Sequence, residues 1–463
     1  MIETQEALRG GAALAPPGGA SGAAAARRPS PPESLAFAAA AALIALHALV
    51  DAFVFPQPGV SRADHLVPGL VPVAVLALSA WLFPRVRPVL GAAAALVLGA
   101  LALVGFAVTV SMARADGVGG SDFTGFLLAP AGVVLVALGV RLLWRTRRRA
   151  GSFARRVGRR ALLAVAALFL VSWVVMPASM AIVATHRPRD VGPVPDLGAP
   201  SRAVTLRTAD GLSLWAQYVA PKEALKLGPS SGGGAVVILY PGEGARDHAR
   251  MLARDGYGVL LLDPRGYGRS EGDPNAYGWG NARDIDAAVA WLEGRSEVGQ
   301  GRIGGLGLSV GGEQMIEAAA GNDGCLRAIV SEGAGTRSVR EALVREGPNA
   351  VELALQYPWD LMQTVATAVF SGDAPPPSLE ELAVQVSPNA VFFVYGEKGQ
   401  AIEETVNVPY FEAAGEPKEL WEVPGAGHTG GIDAQPAEYE RRVTGFFEDA
   451  LPPVRFSWAR DGL

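Results

Sequence analysis

Hydrophobic positions along the chain follow two different rules, and the change falls near residue 190. Upstream, apolar residues come in long runs near 34–55, 66–83, 89–112, 123–144 and 161–184. A helix needs about 17–25 such residues to cross a bilayer. Five runs of that length in succession fit a soluble core poorly, so the pattern predicts an all-α transmembrane domain of about five helices over 34–185. Residues 1–33 are rich in Ala, Gly, Pro and Arg, with few large apolar side chains. They read as a disordered cytoplasmic tail, because such a segment buries too little surface to fold.

Downstream of the linker 186–201 the runs shorten and alternate. AVTLRT (203–208) and LSLWAQYV (212–219) flank Asp210-Gly211, a hairpin signal. AVVILY (235–240), GVLLLD (258–263), RIGGLGL (302–308), RAIVSE (327–332), AVFFVY (390–395) and KELWEVP (418–424) read as further strands. An unbroken apolar strand is expected where both sheet faces are covered. Helical stretches lie between them near 245–255, 281–295 and 311–320, and a last one covers about 436–450. Strand–helix alternation after an antiparallel start predicts an α/β domain over 202–463 with a mostly parallel sheet flanked by helices. Its ligand site belongs at the carboxyl ends of the parallel strands.

Charge sharpens the division. Residues 1–189 carry 18 of the 40 basic and 7 of the 45 acidic residues, a balance of +11 against −16 for the remainder. The acidic second half argues against a nucleic-acid partner. Arginines cluster in the tail, in PRVRP (84–88) and above all in RTRRRAGSFARRVGRR (145–160). By the positive-inside rule these segments are cytoplasmic, and five spans then place the α/β domain on the extracytoplasmic face of the cell membrane. His47 and Asp51, four residues apart on the first run, share a helix face. Asp51 falls near the outer end of the run, within reach of water, so the pair reads as interfacial. Cys325 is the single cysteine, which excludes an intramolecular disulfide and a cysteine metal cluster.

The candidate chemistry centres on GLGLSVGGE (305–313). Gly-x-Ser-x-Gly is a weak signal alone, but here a strand precedes it and a helix follows. In such an elbow Ser309 is the nucleophile, and Gly307 and Gly311 lack side chains that would collide in the sharp turn. The general base is expected later in the chain. Of five histidines, His428 in VPGAGHTGG follows the last strand, whereas His248 reads as a surface helix residue. The acid belongs in the loop after AVFFVY, which offers Glu403, Glu404 and Glu397. Glu332 at the end of RAIVSE is a further alternative, and Glu403 is placed first. The oxyanion donors are expected from the backbone N–H groups of Val310 and Glu243, the latter in a turn permitted by Gly242 and Gly244. Water completes an acyl-serine cycle, so no cofactor and no metal is called for. The expected partners are a small-molecule or peptide acyl substrate and the lipid bilayer.

With the elbow GLSVGG, the turn YPGEG (240–244), the segment DPRGYGRSEG (263–272) and PGAGH before the last helix, residues 200–451 resemble the α/β-hydrolase superfamily. The likeness is to bacterial serine hydrolases of the peptidase-like and acyltransferase-like branches. It implies an α/β-hydrolase fold with a cap insertion over about 334–389, and a serine hydrolase acting on an ester, thioester or amide. It also implies that DPRGYGRSEG is structural and shapes the pocket edge. The chain departs from that pattern at Gly399, where an Asp usually stands.

Overall fold

The computed structural model describes residues 28–146, 152–189, 191–222, 234–240, 245–321, 326–339, 341, 350–400 and 403–452. Most of the expected tail, Glu243 with its flanking glycines, and Cys325 lie outside the described residues.

Helices dominate the first half: α1 (Pro31–Val54), α2 (Leu66–Leu82), α3 (Pro88–Ala115), α4 (Asp122–Arg145) and α5 (Phe153–Thr185). Four of these, all but α2, are long and apolar enough to cross a membrane. Helix α2 is shorter, at 17 residues, yet it runs from one end of the bundle to the other. His65 precedes it at the end facing the α/β domain, and Phe83 after it stacks on Phe37 near the start of α1, with ring centroids 4.1 Å apart. Helix α1 begins at Pro31, three residues ahead of the expected run. Ser30 and Glu33 form a capping box there, which satisfies free N–H groups at the helix start. The buried Glu33 carboxylate also pairs with Arg141 and Arg145 of α4. Arg141, Arg145 and the 83–87 turn thus lie at the end away from the α/β domain.

The second half is one eight-stranded sheet in the order β1-β2-β4-β3-β5-β6-β7-β8. Its strands are β1 (Ser201–Arg207), β2 (Ser213–Val219), β3 (Gly234–Tyr240), β4 (Gly258–Leu262), β5 (Val298–Leu308), β6 (Leu326–Glu332), β7 (Ala390–Gly396) and β8 (Lys418–Val423). β2 is antiparallel to β1 and β4, and every other pairing is parallel. The unbroken apolar runs now have their cause. In β4, Leu260 and Leu262 enter the core on one face while Val259 and Leu261 enter the core on the other. Val391 and Phe393 of β7 alternate with Phe392 and Val394 in the same way. Helices α6 (Arg246–Asp255) and α12 (Pro436–Ala450) cover one face. The other is covered by α7 (Ala282–Glu293), α8 (Val310–Gly321), α10 (Leu379–Val386) and α11 (Glu403–Ala413).

Within the segment expected as a cap, α9 (Ala350–Ser371) leaves the sheet and packs along the end of α5 and against α2. The contact is made through small side chains, Ala178 and Ala181 against Ala366. The following α10 sits in the core layer instead, with Leu379, Leu382, Ala383 and Val386 buried.

Several bonds tie the two halves together. The Ala276 N–H donates to Ala184 O at 2.9 Å, and the Gly272 N–H to Pro58 O at 2.9 Å. Arg189 Nη2 donates to Gly272 O at 2.6 Å. His65 Nε2 pairs with Asp273 Oδ2 at 2.7 Å. The hydrogen bond to Asp273 outweighs the opposing effect of burial and pushes the His65 pKa up to about 9, so the pair is ionic at neutral pH.

Candidate active site

Strand β5 lies in the middle of the sheet, with residues 302–308 all buried, and α8 starts two residues after the strand ends. The turn between them forces Ser309 to φ +54°, a left-handed conformation that costs a non-glycine residue free energy and persists only where neighbours enforce it. Those neighbours are visible. The Ser309 N–H donates to Glu332 O at 2.7 Å, and Ser309 O accepts from the Gly312 N–H at 2.8 Å. Gly307 is required because a Cβ there would collide with the backbone carbonyl of Gly311.

The strained turn holds the serine hydroxyl at the sheet's carboxyl edge. His428 reaches it from the loop after β8, with Nε2 2.9 Å from Ser309 Oγ. On the other side of the ring, Nδ1 lies 2.6 Å from Glu403 Oε1. Glu403 is the first residue of α11, and its carboxylate accepts from the Gln400 N–H at 2.9 Å and the Gly396 N–H at 3.3 Å. Burial alone would raise the Glu403 pKa, but the His428 contact and these two N–H groups outweigh it and hold the group below the usual carboxylate range. The same Glu403 hydrogen bond raises the His428 pKa, against the opposing effect of its partial burial. A general base must be neutral, so the acidic limb of kcat/KM is expected to lie above the ordinary histidine value of about 6.5. A pH–rate profile checks this, and E403Q should move the limb downward.

Of the four acids considered from sequence, the structure brings only Glu403 to His428. Glu404 is exposed on α11. Glu397 accepts from the Gly425 N–H at 2.6 Å. Glu332 is buried, accepts from Tyr439 Oη at 2.6 Å and the Gly431 N–H at 2.9 Å, and faces His248 at 3.7 Å. His248 is thus not the surface residue expected: it is 1% exposed, turned inward with the apolar face of α6 against the Tyr439 ring. The site also explains Gly399. A Cβ at that position would fall within the envelope of the Glu403 carboxylate, so the acid from four residues later fills the space an Asp side chain would take.

Val310 is the first residue of α8, so its N–H has no acceptor within the helix and is available to a developing oxyanion. The expected second donor, Glu243, lies outside the described residues, as do Gly242 and Gly244. Among the described residues no cluster of His, Cys, Asp or Glu is arranged to hold a metal ion. Together the groups can take a proton from Ser309, return it to a leaving group and hold negative charge at the elbow.

DPRGYGRSEG supports this edge of the sheet. The Arg265 backbone N–H and Nε both donate to the Asp284 carboxylate, at 2.9 and 2.8 Å, and Nη1 donates to Asp210 at 2.8 Å. Ser270 Oγ donates to Asp263 O at 2.6 Å and accepts from the Trp215 N–H at 2.9 Å.

Ser309, Val310 and Gly311 open into a cavity of about 870 Å3. Its far wall is built from the membrane-type helices, a feature the sequence pattern did not signal.

The sequence model of the X-Pro dipeptidyl-peptidase (S15) family matches residues 186–404, a span that contains Ser309 and Glu403 and stops short of His428. An uncharacterized protein of Mycobacterium tuberculosis is 31% identical over 247 residues, covering 51% of this chain and 76% of that protein. An uncharacterized protein of Salmonella typhi is 23% identical over 269 residues, covering 56% of this chain and 82% of the relative. Among solved structures, an esterase of Pyrococcus furiosus aligns with 57% of this chain and 99% of its own, at 21% identity and a TM-score of 0.43. Dipeptidyl peptidase 4 of Porphyromonas gingivalis aligns with 54% of this chain and 35% of its own, at 19% identity and a TM-score of 0.40.

Proposed function

We propose that this chain, which belongs to the α/β-hydrolase superfamily, is a membrane-anchored serine hydrolase that cleaves an ester, thioester or amide through an acyl-serine intermediate. The observation that carries the reading is the continuous line from Glu403 through His428 to Ser309 Oγ, with contacts of 2.6 and 2.9 Å. Ser309 Oγ attacks the substrate carbonyl, and its proton passes to His428 Nε2. Negative charge on the carbonyl oxygen is met by the Val310 N–H. Collapse expels the alcohol, thiol or amine, which takes the proton from His428. Water then adds by the same route, releasing the acid and restoring Ser309. Glu403 holds the imidazole in the tautomer that presents Nε2 as acceptor and stabilises the imidazolium.

The anchor is the helical half. Four helices of sufficient length and apolarity support it, and α2 runs end to end as a fifth crossing. The arginine-rich 83–87 turn and the end of α4 lie opposite the hydrolase domain, which supports an extracytoplasmic site by the positive-inside rule.

The test is a fluorophosphonate probe on the full chain, with the adduct located by mass spectrometry. The expected result is a single adduct on Ser309 that H428A loses. An unlabelled Ser309 in folded protein would reject the acyl-serine reading and favour a non-catalytic binding domain on the same fold.

A further inference from the structure

We infer that the substrate is a long-chain acyl ester taken from the bilayer, with its acyl chain lying in a slot between the hydrolase domain and the membrane helices. This inference rests on the acyl-serine and membrane-anchor readings above.

The cavity that holds Ser309 is walled on its far side by Val104, Ala107, Val108 and Ser111 of α3 and by Val183 of α5. The α3 positions recur at intervals of three, one and three residues, so they form one continuous face of the helix. That face is apolar over its first three positions. It turns polar only at Ser111, near the helix end that meets the hydrolase domain. Val104 lies 8 residues before Met112, where the apolar run of α3 ends. At 1.5 Å per residue that is about 12 Å along the axis, somewhat less than half of a hydrocarbon core of about 30 Å. The slot therefore begins at the proposed nucleophile and descends through most of one lipid leaflet.

Chemistry along the slot selects the ligand. The same cavity is also lined by His186, Arg187, Arg246, Asp263, Arg269, Asn275 and Asn281, so the selection applies along the α3 wall, where a peptide would leave backbone donors and acceptors against valine and alanine, a costly burial. An alkyl chain loses nothing polar and gains burial with each methylene. The volume of about 870 Å3 is at the upper end of the roughly 300–1,000 Å3 typical of small-molecule sites. Ala107, Ser111 and Val183 line the cavity and are exposed, so this wall belongs to helices whose outer surface lipid would cover. The bonds between Ala276 and Ala184 and between His65 and Asp273 hold the two walls in register. An ester seated at Ser309 then sits near the last turn of α5, at the headgroup level. Hydrolysis with one water gives a free carboxylate and an alcohol.

The experiment uses the full chain in phosphatidylcholine vesicles with para-nitrophenyl esters of two to sixteen carbons. The expected result is a kcat/KM that rises with chain length, by up to about fourfold per methylene, the equivalent of about 0.8 kcal/mol. A107W should lower the ratio of long-chain to short-chain kcat/KM by tenfold or more, while L90W on the exposed surface of α3 should leave the ratio alone. The wild-type profile needs no variant to fold. A flat or falling profile in protein whose Ser309 takes the fluorophosphonate overturns the slot and leaves the hydrolase reading standing; an unreactive Ser309 removes both. A rising profile unaltered by A107W also overturns the slot. A rate that follows the ester left in the aqueous phase, falling as added vesicles take up more of the substrate, would overturn delivery from the bilayer.

Discussion

E403Q is expected to lower kcat/KM by about 10³–10⁴-fold, whereas E404Q and E397Q should stay within about twofold of wild type. The difference follows from position. Glu403 Oε1 meets His428 Nδ1 at 2.6 Å, and an amide there holds the wrong tautomer as readily as the right one. Glu404 is exposed, and Glu397 is spent on the Gly425 N–H. Gly399 allows a stricter check. The Glu403 carboxylate occupies the space in front of Gly399, and Gly399 is not among the residues with left-handed φ, so an Asp side chain can be built there once that space is empty. E403A should therefore be inactive, and G399D/E403A should regain at least tenfold over it. G399D alone should lose activity, because two carboxylates would compete for one volume. Steady-state rates of the four proteins decide the matter. No gain in the double variant would mean that the acid must be offered from the start of α11 and not merely from the loop.

The second large effect concerns stability. R265A is expected to destabilise the hydrolase domain by about 3–5 kcal/mol, the usual cost of leaving one member of a buried ion pair alone. Asp284 is fully buried. Burial raises its pKa to about 6 even with the Arg265 guanidinium beside it, drawing it down. Its folded pKa thus lies above its unfolded value, so its ionisation opposes folding, and stability is lost as pH rises from about 4 through about 6. Without Arg265 the folded pKa climbs further, and the loss grows with every pH unit up to the new value. R265A should therefore be far less stable than wild type at pH 8 and closer to it at pH 5. R265A/D284N should recover part of the loss at pH 8, because no charge is then left in the core. Thermal melts of the three proteins at both pH values read this directly. An effect of R265A that is the same at both pH values would assign the arginine's role to packing of its stem.

Much of the architecture was legible along the chain because it depends on local periodicity. Long apolar runs, unbroken six-residue strands and amphipathic helices are each set by whether one face, two faces or all sides are covered. The boundaries moved little: AVFFVY extends by Gly396 in β7, and the closing helix spans Pro436–Ala450. Ser309 was legible for a similar reason, since a strand, a small-residue turn and a helix are adjacent in sequence. His428 followed from chain order and its place after the last strand.

The acid could only be ranked, because three glutamates share one short loop, and the α11 start that aims Glu403 inward depends on packing across the sheet. The burial of His248 is not legible locally, because no local signal distinguishes a histidine on the buried side of α6 from one on the exposed side. The wall that α3 contributes to the cavity was invisible for the same physical reason. Residues 104–111 and 309–311 are some two hundred positions apart, and what joins them is the docking of one half of the chain on the other. Local sequence thus determined which elements form and where the proposed nucleophile Ser309 sits. Tertiary packing alone decided which carboxylate meets His428 and which helix face Ser309 looks onto.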